Sequence, residues 1–193
     1  QLVLVKDYLD FTILGTTKDD AAGEAFDKVA KFLGLEYPGG PIIEEKAKTG
    51  NSLAFDFPIG LKNNGLDFSF SGLKTAVIQK INKLKAEGTE INVNDVAASF
   101  QKAVINALLI KSLRALKQYD IHTFALSGGV AANKTLRAVF VEALTKSKVK
   151  VFVPEIKFAT DNAAMIAAAG YILFQKGRFS DYNLLVKPNL SLC

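Results

Sequence analysis

Residues 123–133 read Thr123-Phe124-Ala125-Leu126-Ser127-Gly128-Gly129-Val130-Ala131-Ala132-Asn133, and this stretch decides the fold. An apolar run breaks at a glycine pair and opens a periodic segment with Leu136, Val139, Phe140, Ala143 and Leu144 on one face. The pattern predicts a buried strand flanked on both faces, a sharp turn and an amphipathic helix. Gly128 and Gly129 carry no Cβ, so the backbone can turn tightly and lie close to a ligand. Asn133 can cap the helix or bond a ligand held at its N-terminus. The plain reading of such an Asn is a cap, and the rest of the chain has to decide.

Downstream, residues 149–153 read as a second strand and 161–176 as a second helix. Strand, helix, strand, helix makes a βαβ unit with parallel strands and a right-handed crossover. The last helix carries Ala163, Ala164, Ala167, Ala168, Ala169 and Gly170, small residues that permit close packing. Upstream, residues 2–6 and 10–14 read as a hairpin around Lys6-Asp7-Tyr8. A helix starts in Asp19-Asp20-Ala21-Ala22-Gly23-Glu24, with acids in its first turn, and runs on one apolar face (Phe26, Val29, Ala30, Leu33) to a stop at Gly34. Tyr37-Pro38-Gly39-Gly40-Pro41 reads as a rigid turn before a short helix ending near residue 48. Residues 50–69 are irregular, with Phe55, Phe57 and Phe68 turned inward. Helices over 71–86, stopped by Gly88, and over 94–117 complete the chain, so helix should clearly outnumber strand.

The 193 residues include 24 basic and 19 acidic side chains, a net charge of +5 that suits a phosphate-bearing partner without demanding one. Hydrophobic residues make up 49%, which marks a globular chain able to bury a real core. The single cysteine, Cys193, excludes an intrachain disulfide and fits a reducing, cytoplasmic setting. No uninterrupted apolar run reaches the ~18 residues of a membrane span, and no signal-peptide pattern opens the chain. It opens inside a strand and its one Met is Met165, so a start within a domain is expected.

No standard nucleotide motif is complete. The glycine pair lacks the Lys-Ser/Thr of a P-loop, and G-x-G-x-x-G is absent. The one histidine, His122, at the start of a buried strand, cannot by itself build a zinc site or a triad. Asp27 lies one turn beyond Gly23, so a ligand at that bare backbone could meet its carboxylate. Pro38-Gly39-Gly40 could present backbone to a flat ligand, and Asp161 heads a helix. Solvated acid, turn and helix cap are the plain alternatives for these three.

Five motifs in this order change that weighting: D-D-A-A-G-E-A-F-D-K (19–28), Y-P-G-G-P (37–41), L-D-F-S-F-S-G-L-K-T (66–75), S-G-G-V-A-A-N (127–133) and T-D-N-A-A-M (160–165). Together they resemble the TsaD family of tRNA N6-adenosine threonylcarbamoyltransferases, once labelled O-sialoglycoprotein endopeptidase, over nearly the whole chain. The resemblance implies a helix-rich α/β fold of the actin-like, sugar-kinase-like ATPase class: the C-terminal lobe plus the last strands of the first lobe. It implies residues 1–16 as the trailing hairpin of the first lobe, 17–159 as the nucleotide-binding lobe, and 160–193 as a metal-motif helix and tail packing back toward the first lobe. The implied reaction moves threonylcarbamoyl from its adenylate to N6 of the tRNA adenosine beside the anticodon. By family match, Asp27 and Gly40 hold the ribose and adenine side, while Gly128, Gly129 and Asn133 form the adenosine loop. Gly23 and Glu24 are additional candidates, and Asp161 is one ligand of an iron or zinc ion. ATP or the threonylcarbamoyl-adenylate is the implied ligand. Partners are tRNA, the proteins of the transfer complex and the N-terminal lobe, with no membrane.

The family's first lobe, its metal-binding histidine pair and its phosphate loop have no counterpart in these residues, and Ala159 stands where the family usually has cysteine. The expectation is therefore a chain inactive and metal-free by itself. Two other readings compete: a non-catalytic scaffold of the same superfold, against which the paired S-G-G-V-A-A-N and T-D-N motifs argue, and a small-molecule kinase, which needs a catalytic Asp in its own phosphate lobe. The protease label finds no nucleophile–base pair and no H-E-x-x-H.

Overall fold

The longest helix organises the packing. In the computed structural model, which describes residues 1–185, ten regular elements follow one another. They are β1 (Leu2–Asp7), β2 (Asp10–Gly15), α1 (Ala22–Phe32), α2 (Gly39–Ala47), α3 (Ser71–Ala86), α4 (Val93–Gln118), β3 (Thr123–Ala125), α5 (Lys134–Lys146), β4 (Lys150–Phe152) and α6 (Ala163–Gln175). Asn92 starts α4 by accepting the Asn94 N–H on its side chain. At the other end Asp120 turns left-handed and the Ile121 N–H returns to the Leu116 carbonyl, closing the helix.

Both faces of α4 are used. Val96, Ala97, Phe100, Ala103 and Val104 pack with Phe26 and Val29 of α1, Ile43 of α2, and Leu73, Val77 and Ile81 of α3. Phe26 meets Phe100 edge-on at 5.2 Å. On the opposite side Ile105 and Leu116 join Leu136, Phe140 and Leu144 of α5, with Phe124 and Val151 of the strands against them. By length and composition α4 could cross a membrane, but 67% of its most apolar window is buried in this core.

β1 and β2 form an antiparallel hairpin, and β3 and β4 a separate parallel pair joined by α5, as the βαβ pattern predicts. The hairpin is tied to the irregular segment after α2. Thr16 N–H donates to Asp67 Oδ1 at 2.9 Å, and Thr16 O accepts from Phe68 N–H at 2.9 Å. Lys111, 1% exposed, threads its ammonium into that segment and donates to the carbonyls of Leu61, Asn64 and Gly65. Burial holds its pKa below the ordinary lysine value, with nearby Arg114 adding to the effect.

Several expectations change. β3 is not flanked on both faces: its residues alternate exposed and half-buried, because α5 covers one side only. His122 is exposed, 3.9 Å from Asp120, and not part of a buried strand. Asp19 and Asp20 precede α1. Asp19 instead accepts Phe70 and Ser71 N–H and so caps α3, while Asp20 binds Lys28 and Lys74. The hairpin turn is Tyr8-Leu9, one step beyond the expected centre. Y-P-G-G-P is no separate turn, since α2 already starts at Gly39. Among the described residues nothing packs over the small residues of α6: no residue of that helix is buried. Cys193 and the end of the expected C-terminal tail lie outside the described residues.

Candidate functional site

The glycine turn is built from the strand side first. Leu126 N–H donates to Phe152 O at 3.0 Å, continuing the β3–β4 ladder one residue past its end. Gly128 then takes φ +86°, a conformation that a side chain would strain. A single 3₁₀ turn, Gly129–Ala132, leads to Asn133 at the start of α5. Asn133 is a cap: its Oδ1 accepts Leu136 N–H at 2.8 Å, and its Nδ2 donates to buried Gln101 Oε1 at 2.7 Å. One N–H of that amide remains for another acceptor.

The N-terminus of α5 holds a second partner. Glu44 of α2 accepts Lys134 N–H at 2.6 Å and Thr135 N–H at 3.4 Å on one oxygen. A carboxylate therefore already occupies the place where an anion would gain most from the helix dipole. What this end of α5 leaves open suits a neutral group better than a phosphate.

Asp27 reaches across from α1 and accepts Gly39 N–H at 2.8 Å, capping α2 where Pro38 has no side-chain acceptor. Gly39 is dictated by packing, since a Cβ there would lie 2.6 Å from Ala30 Cβ. Gly40 is not: a Cβ on it meets nothing within 4 Å, and the same holds for Gly128 and Gly129. Gly23 lies against the turn, its added Cβ 3.5 Å from Val130 Cγ2. Thus α1 meets the start of α2 through Asp27 and the glycine turn through Gly23, and Glu44 ties α2 to the residue after Asn133. Glu24 is committed to its own helix: it accepts Ala21 N–H at 3.2 Å and pairs with Lys28 at 2.7 Å. A cleft of about 430 Å³ between α2, α4 and α5, lined by Gln101, Lys102 and Thr135, includes none of these candidates.

Asp161 stands apart. It is exposed, and the cap of α6 is Asn162, whose Oδ1 accepts Met165 N–H at 2.9 Å. The helix-cap alternative for Asp161 is thereby replaced by its neighbour. Among the described residues no three His, Cys, Asp or Glu side chains gather into a metal-binding group. Sequence reasoning missed Glu44, Gln101 and Arg137. The first two act through partners remote in sequence; only Arg137, four residues after Asn133, carried a local signal.

The TsaD profile, described as tRNA N6-adenosine threonylcarbamoyltransferase, matches residues 1–168. The chain belongs to the TsaD family. Curated TsaD relatives of that name include proteins from Caldicellulosiruptor bescii, 46% identical over 191 residues, and Dictyoglomus turgidum, 50% identical over 192. The matches cover 99% and 100% of this chain but only 56% and 57% of those relatives, so it corresponds to little more than half of a curated TsaD protein. A crystal structure of T. kodakarensis HypF superposes with a TM-score of 0.58 over 82% of this chain and 20% of its own, at 23% identity. That similarity concerns the fold alone.

Proposed function

We propose that this chain supplies the adenosine side of a threonylcarbamoyl-transfer site acting on N6 of a tRNA adenosine. One observation carries the reading: Gly40, next to the Asp27-bound Gly39, and Gly128 and Gly129, shortly before Asn133, leave open backbone, with no packing demand for glycine at Gly40 or Gly129. In this reading a flat purine lies over that bare backbone. The Asp27 oxygen not engaged by Gly39 accepts ribose hydroxyls, and the remaining Asn133 N–H meets the nucleoside. Glu44 keeps the α5 N-terminus neutral, so the phosphates and the acyl group point away, toward the part of the family's length that this chain does not span. The ligand is ATP or the threonylcarbamoyl-adenylate.

Asp161 contributes one carboxylate to an iron or zinc site completed by ligands from outside these residues. A bound divalent ion would act there as a Lewis acid. The proposed setting is the cytoplasm, with tRNA and the other proteins of the transfer machinery as partners. The test pairs the purified chain with full-length TsaD of a relative in a tRNA modification assay read by nucleoside mass spectrometry. The full-length protein should modify tRNA; the chain alone should not, and should hold no stoichiometric iron or zinc. Robust modification by the chain alone would refute this division of labour.

A further inference from the structure

Arg137 lies one turn beyond Asn133 on α5, and its guanidinium leaves the helix to hold two separate pieces of backbone. Nε donates to the carbonyl of Ala131 in the glycine turn. Nη1 donates to the carbonyl of Pro154, just past β4, at 2.6 Å. Nη2 is buried and without a hydrogen-bond partner among the described residues. A half-buried cation with an unpaired donor is costly, and an aliphatic residue would fill the same space without that cost.

Both pieces continue into candidate site residues. On one side the turn is open, with Ser127, Gly128 and Gly129 exposed. On the other the chain is tied locally from Pro154 to α6. Phe158 N–H donates to Glu155 O at 2.9 Å, Ala159 is 3% exposed, and Asn162 Nδ2 donates to Thr160 O at 2.9 Å. Asp161 sits inside that bracket. The planar guanidinium fixes its two donors relative to each other, so the two carbonyls are fixed as well.

We infer that Arg137 is a positioning residue that locks the glycine turn 128–132 to the segment 153–161, so that the adenosine contacts and Asp161 keep one register. The functional value of this lock rests on the nucleotide reading above. Amide hydrogen exchange on the whole 193-residue chain tests it, with Arg137→Lys and Arg137→Gln. A lysine ammonium reaches one carbonyl rather than serving both in a fixed fork. Arg137→Gln should quicken exchange about tenfold at 129–133 and at 156–161 together, the loss of roughly one charged hydrogen bond at each, and Arg137→Lys should do so at the segment its ammonium releases. Amides in the middle of α4 should not change. If Arg137→Gln does not fold, Arg137→Lys carries the test alone.

Quickening at one segment only in Arg137→Gln, equal quickening through α4, or wild-type exchange at both segments in Arg137→Lys would overturn the proposal. ATP separates this from the nucleotide reading. Protection of the turn amides by ATP in the wild-type chain supports that reading, and Arg137→Lys should then raise the ATP dissociation constant about tenfold. Loosened segments with an unchanged constant would sink the positioning role. No protection in the wild type would sink the nucleotide reading and leave the lock itself to be judged by the exchange data.

Discussion

Asp27 shows how one side chain serves fold and site together. Its Oδ1 caps α2 through Gly39, which leaves its other oxygen as the one proposed for ribose. Asp27→Ala should therefore cost about 1 kcal/mol of stability through the lost cap. In full-length TsaD the equivalent change should weaken ATP binding about tenfold or more. Asp27→Asn keeps an acceptor for Gly39, so its melting temperature should stay nearer wild type. Calorimetry with ATP and thermal melts measure both parts, and unchanged ATP affinity in a folded Ala variant would remove Asp27 from the site. Asp20 is the acid sensor of the same region. Hydrogen bonds from Lys28 and Lys74 lower its pKa from 3.8 to about 2. Its folded-state value is depressed, so its contribution is fully present above about pH 4 and lost as pH falls toward 2. The urea midpoint should drop over that window, and Asp20→Asn should flatten the drop. Lys111 is the reverse case, a buried cation satisfied by carbonyls alone. Lys111→Met should destabilise by about 1–3 kcal/mol in urea unfolding, because the carbonyls of Leu61, Asn64 and Gly65 each lose a charged hydrogen bond. It should also open residues 61–65 to proteolysis.

Among the elements, α5 is held from three sides. Asn133 caps it, Glu44 of α2 neutralises its dipole, and Arg137 ties its first turn to the chain on either flank. That explains why a turn with exposed glycines is nonetheless placed. α6 is the opposite case: an apolar helix with Ile166 66% exposed and Phe174 62% exposed. Such a surface drives association when nothing covers it. The chain alone should self-associate with rising concentration in sedimentation velocity, and Ile166→Lys with Phe174→Lys should suppress this without loss of helicity. A wild-type chain that stays monomeric to high concentration would show that α6 is covered by other means.

At the scale of the molecule, the two faces of α4 divide the work. One side gathers α1, α2 and α3; the other seats α5 and the short parallel pair. Val130 of the glycine turn packs against both sides, so the geometry of that turn depends on both packings. The relatives' extra length is the source proposed for the phosphate and metal side.

The sequence by itself determined the helices and the parallel crossover, because amphipathic periodicity and the stops at Gly34 and Gly88 are local signals. It also determined the family, because five motifs recur in order. It did not determine what Asp19, Asp27 and Glu44 do. Each is a carboxylate that caps a helix begun elsewhere in the chain, Glu44 across 90 residues of sequence. Nor could it show that β3 is open on one side or that α6 is bare, since burial depends on which elements are present to cover a face. Gly39 and Gly40 are identical in sequence terms; only the approach of α1 makes the first a packing necessity and leaves the second open to a ligand.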